Sequence, residues 1–304
     1  MIRALVTSNM RPTPEMPGRG VFVRDQVAGL RRLPDLDVEL FEFPPGPAAW
    51  VPAAARMAAM GRFDVVHAHF GLTAWPSFAA RAGARVLTLH GTDVRHPRSR
   101  RLTLAAAARV DLVATVSEAL AAELPDGLVS EVLPCGVQLE RFNRIPREHA
   151  RRALDLDPAR PCVLFPADPA RAGKRFDRAQ ELAGDVPLLT LGHTDPSHVP
   201  LAINAANAVL VPSDAEGFGL AVLEALACDV PVLATPVGVH PQVLEGLAGT
   251  LCAPWNPERW RAALAPHLAS EEPRVRGRER VAPYAAWPMA EHVAAAWRGL
   301  LSLA

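Results

Sequence analysis

Lysine is almost missing from this sequence: of 32 Lys and Arg residues in 304, only Lys174 is a lysine. Net charge is missing too, because the 32 acidic residues match the 32 basic ones, so nothing points to nucleic acid or another polyanion as partner. Cysteine is sparse. Cys135, Cys162, Cys228 and Cys252 form no CxxC pair and sit in apolar runs, which reads as reduced core thiols in a cytoplasmic protein. No apolar run reaches membrane-spanning length, and the opening MIRALVTSNM is too short and polar for a signal peptide. Low-complexity stretches are absent, because the 30 Pro and 20 Gly are scattered between elements. What is present is apolar substance: half the residues are hydrophobic, and the length suffices for two domains of ordinary size.

Apolar runs and helical segments alternate along the chain. Strands are expected at 2–7, 38–43, 64–69, 85–89, 112–115 and 131–133, with helices at 21–33, 48–60, 77–82, 101–109 and 118–124. The pattern weakens between 143 and 161, a charged and proline-containing stretch that reads as a linker. It resumes with strands at 162–166, 188–191, 208–212, 230–234 and 251–253, and helices at 176–183, 201–206, 257–270 and 289–300. Such alternation predicts two α/β halves, each a doubly wound parallel sheet, with ligands beyond the carboxyl ends of the strands.

One stretch dominates the second half. SDAEGFGLAVLEA (213–225) follows an apolar strand, turns at Gly217 and Gly219, and becomes helical. A helix start offers unpaired N–H groups and the positive end of a dipole, which suits a phosphate. Glu216 and Glu224 flank the turn, and a carboxylate accepts two hydroxyl hydrogen bonds from a sugar or ribose. Alone, the two acids read as a helix cap and a solvated helix residue. Lys174 and Arg171 lie in the loop after the first strand of the same half, on the sheet edge that carries the glycine turn. Lys174 is either a chance survivor of an arginine-biased composition or a compact ammonium placed beside a diphosphate. The convergence of lysine, acids and glycine turn favours the second reading.

In the first half, His67 and His69 alternate onto one face after the third strand. An H-x-H pair can bind metal, but no third ligand follows at a matching spacing. His90-Gly91-Thr92-Asp93 ends the fourth strand, where His90 can donate to a sugar hydroxyl or developing charge. Ser117 is read as the cap of the helix that follows. The run RHPRSRR (95–101) is read as a solvated loop, with an anionic membrane or acceptor as the alternative.

Together these segments resemble the retaining GT-B glycosyltransferases of family 4. The carriers are SDAEGFGLAVLEALACDVPVLATPVG (213–238), with seven residues between Glu216 and Glu224, and FDVVHAHFG (63–71), LHGTDV (89–94), VATVSEAL (113–120), VLPCGVQLERF (132–142) and GRGVFVRDQV (18–27). The resemblance implies two Rossmann-like domains facing across a cleft. Residues 1–145 would form the acceptor-side domain, joined by a C-terminal helix over 286–304 that crosses back to it. Residues 158–285 would form the donor domain. It also implies that Glu224 holds the ribose, Glu216 the donor sugar, and Lys174 the diphosphate. The amides around Gly217, Phe218, Gly219 and Leu220 would assist, and Gly20 would lie in a first-domain loop near the phosphates. His90 would lie near the transferred sugar, with His69, Gly91, Thr92 and Asp93 on the acceptor side. Ala167-Asp168-Pro169 stands where the family carries Gly-Arg, so Arg171 is the candidate second cation.

The implied function is transfer of a sugar from a UDP- or GDP-type nucleoside diphosphate sugar to a sugar, lipid or small-molecule acceptor, with retained anomeric configuration. His90, Lys174 and Glu216 would be the catalytic residues. No acidic DxD pair stands out, so neither an obligatory metal nor a cofactor is expected. A cytoplasmic enzyme, peripheral on the inner membrane face, would fit the basic run. The alternatives are a sugar-nucleotide epimerase of the same fold and a non-catalytic sugar-nucleotide-binding subunit.

Overall fold

The computed structural model describes residues 1–303; the last residue of the helix expected over 286–304, Ala304, lies outside them. The chain forms two compact units. One takes residues 1–13, 19–136 and the helix Ala286–Leu303, and the other takes residues 14–18 and 137–285.

The first unit is built on a six-stranded sheet in the order β2-β1-β3-β4-β5-β6. Its strands are β1 (Ile2–Ser8), β2 (Leu36–Glu42), β3 (Arg62–His69), β4 (Arg81–Leu89), β5 (Leu112–Thr115) and β6 (Glu131–Val132), and every pairing is parallel. A parallel sheet must be covered on both faces. In β1, Ala4 and Val6 point into one core with Val23, Val27 and Trp297, while Leu5 points into the other with Phe41, Met57 and Phe63. The helix Val21–Leu30 and the C-terminal helix close the first face, and the helix Trp50–Ala58 closes the second.

The second unit carries a five-stranded parallel sheet in the order β11-β10-β9-β7-β8. These strands are β7 (Val163–Phe165), β8 (Leu188–Thr190), β9 (Ala208–Val211), β10 (Val232–Ala234) and β11 (Leu251–Cys252). Val163, Phe165, Leu210 and Leu233 pack with Ala179, Leu182 and Trp260 into one core. The alternation read from the sequence is therefore realised as two Rossmann-like parallel-sheet units. Among the described residues, no helix is long and apolar enough to cross a membrane.

Three segments differ from the expectation. The run 95–101, read as a solvated loop, is mostly helical, because from Pro97 on it forms the first turns of the helix Pro97–Ala107. The helix expected at 77–82 is absent; a single turn, Ala74–Ser77, precedes β4, which begins at Arg81 and pairs from there with Arg62. Sheet pairing there overrides the helical preference of an alanine-rich run. The charged stretch 143–161 contains a helix, Arg147–Ala153, whose Arg147 and Arg151 are buried. Their guanidinium groups donate to the carbonyls of Ala205, Ala206 and Pro273 and to Asn207 Oδ1, so burial leaves their charge well solvated by carbonyl dipoles.

Candidate active site

Strand order places the site before any side chain is considered. In the second sheet β7 pairs with β8 on one side and β9 on the other, so the strand order reverses between β7 and β9. A doubly wound sheet opens a ligand crevice beyond the carboxyl ends of the strands at that point. The loop after β7 holds Arg171 and Lys174, and the loop after β9 holds Ser213, Glu216 and the glycine turn.

A 3-10 turn, Ala172–Lys174, ends the first loop, and the two loops are tied together there. Lys174 Nζ donates to both oxygens of Glu216, at 2.6 and 2.5 Å. Ser213 Oγ donates to Glu216 Oε1 at 2.7 Å, and the backbone N–H of Asp214 donates to the Gly173 carbonyl. Arg175 reaches Asp177 and Asp214. The Glu216 side chain is only 9% exposed and that of Lys174 19%. Burial alone would raise the Glu216 carboxyl, but the Lys174 ammonium and the Ser213 hydroxyl outweigh it and hold it below the usual carboxylate range.

Gly219 precedes the helix Leu220–Ala227 in the left-handed region at φ 107°, and no side chain caps the helix. Its first N–H groups are thus available to a ligand. A Cβ at Gly219 would lie 2.5 Å from Nε2 of His240, so only glycine fits the turn. Gly238 sits below the same turn, with the Phe218 carbonyl against its Cα and the N–H of Val239 donating to that carbonyl at 2.7 Å. Phe218 is buried and Gly217 half-buried. Leu220 and Glu224 are half-buried and one helical turn apart, so they share a face. Arg171 is exposed on its loop.

The first unit holds a separate cluster. His67 and His69 stack at 4.7 Å between ring centroids, and His69 stacks on His90 at 5.2 Å. His69 Nδ1 and His90 Nε2 share a hydrogen bond of 3.0 Å, and His67 Nε2 meets Thr88 Oγ1 at 2.7 Å. Burial holds all three imidazoles well below their usual value, His69 at about 3, so the stack is neutral. Asp93 accepts the backbone N–H groups of His90, Gly91 and Gly71 and thereby fixes the turn after β4. Its burial outweighs these bonds and raises its carboxyl. Thr92 opens the short helix that carries Asp93. Gly20, in the left-handed region, is the N-cap of the helix Val21–Leu30. Ser117 caps its helix by accepting the N–H of Leu120.

The structure therefore gathers Lys174, Glu216, Gly217, Phe218 and Gly219 at one switch point, and His69, His90, Gly91 and Asp93 in the other unit. Among the described residues no group of three or more His, Cys, Asp or Glu is arranged to hold a metal ion. Sequence reading passed over His240, Thr235 and Ser213. His240 was visible only as a polar residue after a glycine turn at a strand end. Its bond from Nδ1 to the Thr235 carbonyl, 2.9 Å, exists only in three dimensions.

Comparison with known proteins bears on this arrangement. Residues 170–282 match the family model described as glycosyl transferases group 1, and residues 4–141 match that of glycosyltransferase family 4. A D-inositol 3-phosphate glycosyltransferase of Actinosynnema mirum is 30% identical over an alignment of 333 positions, gaps included, covering 86% of this chain and 78% of that protein. One from Segniliparus rotundus is 33% identical over 189 residues, half of this chain and 42% of that relative. Among solved structures, sucrose-phosphate synthase from Thermosynechococcus elongatus superposes with a TM-score of 0.73 at 20% identity, covering 99% of this chain and all of that one. Anabaena Alr3699/HepE in complex with UDP and glucose superposes with 0.71 at 15% identity, over 97% and 99% of the two chains. These likenesses establish the GT-B fold.

Proposed function

The chain belongs to the group 1 glycosyltransferases of family 4, and on that premise we propose that it moves a sugar from a nucleoside diphosphate sugar to an acceptor hydroxyl with retention of configuration. The observation that carries this reading is the Lys174–Glu216 pair at the switch point, beside an uncapped helix start. Solved proteins of the same fold hold UDP, UDP-glucose or ADP, which supports a nucleotide donor.

In this reading the diphosphate sits on the N–H groups ahead of the helix Leu220–Ala227, within reach of Lys174 and Arg171. Glu224 accepts the ribose hydroxyls, and Glu216 accepts a hydroxyl of the sugar. The bond from the anomeric carbon to the phosphate oxygen breaks first. Negative charge then grows on the diphosphate, and preorganised positive groups are worth most at that moment. The acceptor hydroxyl adds to the same face, and its proton passes to the departing phosphate. The resemblance assigns His90 to the transferred sugar and His69, Gly91, Thr92 and Asp93 to the acceptor side. Side-chain and helix-end charge meets the leaving group, so no obligatory metal is invoked.

The test is a thermal-shift screen with UDP, GDP, ADP and TDP, followed by mass and proton NMR analysis of products from the matching sugar donors. A nucleotide at a hundred times its Kd raises stability by about 2.7 kcal/mol. The reading expects one nucleotide to raise the melting temperature and its sugar donor to give a product with unchanged anomeric configuration. No shift with any nucleotide would overturn it, and an inverted product would overturn retention.

A further inference from the structure

Glu216 is a buried carboxylate whose ammonium partner, Lys174, is the group assigned above to the diphosphate. Lys174 Nζ spends two of its three N–H donors on Glu216, so a shift onto a diphosphate strips that carboxylate of the pairing. A carboxylate so enclosed needs compensation once the ammonium turns away.

His240 is built for that role. It opens the short helix His240–Leu244 and is fully buried. Nδ1 lies 2.9 Å from the Thr235 carbonyl, an acceptor, so Nδ1 carries the proton and Nε2 presents a lone pair in the neutral ring. Nε2 is buried without a hydrogen-bond partner and is directed at Gly219, the residue that starts the anion-facing helix. Buried polar atoms of this kind are rare and want a reason. Protonation of Nε2 would give an imidazolium whose Nδ1–H bond is already made.

The charged groups acting on this ring are Glu216, from the loop before the helix Leu220–Ala227, and Lys174, from the turn before the helix Phe176–Ala183. Cys252 of β11, packed against the helix of His240, is a thiol pushed up by burial and stays neutral. In this structure burial keeps His240 below its usual value, with Lys174 adding to burial and Glu216 and the Thr235 carbonyl opposing it. Once a diphosphate cancels the charge of Lys174, the opposition from Glu216 remains and the balance moves toward the protonated ring.

We propose that His240 takes up one proton from solvent at Nε2 when a nucleoside diphosphate draws Lys174 away from Glu216, so that the Glu216 carboxylate stays compensated through the exchange. His240 is then a positioning residue that acts through Glu216, and it makes diphosphate affinity depend on pH. The inference rests on the assignment of Lys174 to the diphosphate.

Calorimetric titration of the whole chain tests it. UDP, GDP, ADP and TDP are each titrated at pH 7 in PIPES and in Tris, whose ionisation enthalpies differ. The dependence of the observed heat on buffer counts the protons taken up. The wild-type protein takes up protons with the nucleotide, and its Kd rises with pH on the alkaline side. His240→Asn keeps a donor for the Thr235 carbonyl but cannot titrate, so uptake from this group vanishes and the Kd loses that pH slope. Glu216→Gln leaves His240 intact but removes the charge to be balanced, and uptake falls there too. Uptake that is absent in the wild type, or equal in the wild type and both variants, overturns the role of His240 while leaving the Lys174 assignment standing. If none of the four nucleotides binds, the assignment itself fails and His240's role falls with it.

Discussion

Replacing Lys174 by Ala separates two effects of one side chain. Its ammonium lies 2.6 and 2.5 Å from the oxygens of a carboxylate that is 9% exposed. Taking one partner from a buried ion pair costs about 3–5 kcal/mol, because the other charge is left uncompensated. Lys174 keeps 19% exposure, and Ser213 still donates to Glu216 in the variant with the titratable His240 acting on it, so the loss falls near the lower end, about 3 kcal/mol. The sign with pH follows. Lys174 holds the Glu216 carboxyl down against burial, so in its absence burial raises that carboxyl. The deficit is full at neutral pH and shrinks as pH falls and Glu216 takes a proton. Adding Glu216→Gln to Lys174→Ala removes the stranded charge and restores most of the stability. Activity behaves otherwise. Losing one preorganised charge at a leaving group lowers turnover by roughly two to three powers of ten, and the double variant recovers none of it. Urea unfolding, followed by hydrogen exchange at the amides of β9, reads the first effect, and donor consumption reads the second. A double variant no more stable than Lys174→Ala, or a single variant within threefold of wild-type turnover, would refute this reasoning.

Other expectations follow from the same geometry. Burial keeps His67, His69 and His90 neutral, so the unfolded chain takes up protons that the folded one refuses. Stability is therefore full above pH 6.5 and is lost as pH falls below it, for His69 by about 1.4 kcal/mol per unit down toward about 3, with His67 and His90 acting in the same direction. Asp93, held high by burial, works in the opposite sense, and urea midpoints against pH should show the histidine slope reduced in His69→Gln. Gly219→Ala would place a methyl group against His240 in a left-handed conformation and cost about 1–3 kcal/mol in a thermal melt. Gly299→Ala, in a helix with open space, would stabilise by about 0.5–1 kcal/mol. Arg171 is exposed, so Arg171→Ala should leave the melting temperature unchanged. It should weaken nucleoside diphosphate binding about 10- to 100-fold by calorimetry, the worth of one hydrogen bond to a charged group.

How much of this was legible beforehand depended on range. Period-two and helical patterns carry local information, so the strand and helix alternation of both units was readable, and so was the shared face of His67 and His69. The third member of their stack, His90, comes from the neighbouring strand, and no local pattern links them. Lys174 and Glu216 were readable as neighbours on one sheet edge, but not the burial of the carboxylate on the ammonium 42 residues earlier, which arises because the switch between β7 and β9 brings their loops together. The buried arginines of the helix Arg147–Ala153 were read as part of a charged linker. Carbonyls from residues 205, 206 and 273 make their burial tolerable, and sequence spacing does not show those partners.

The most direct measurement is a crystal structure of this chain with a nucleoside diphosphate bound. The account predicts the diphosphate at the N–H groups that follow Gly219, with Lys174 Nζ turned from Glu216 to a phosphate oxygen at hydrogen-bonding distance. A nucleotide bound elsewhere, or a diphosphate at that helix with Lys174 still seated on both oxygens of Glu216, would contradict it.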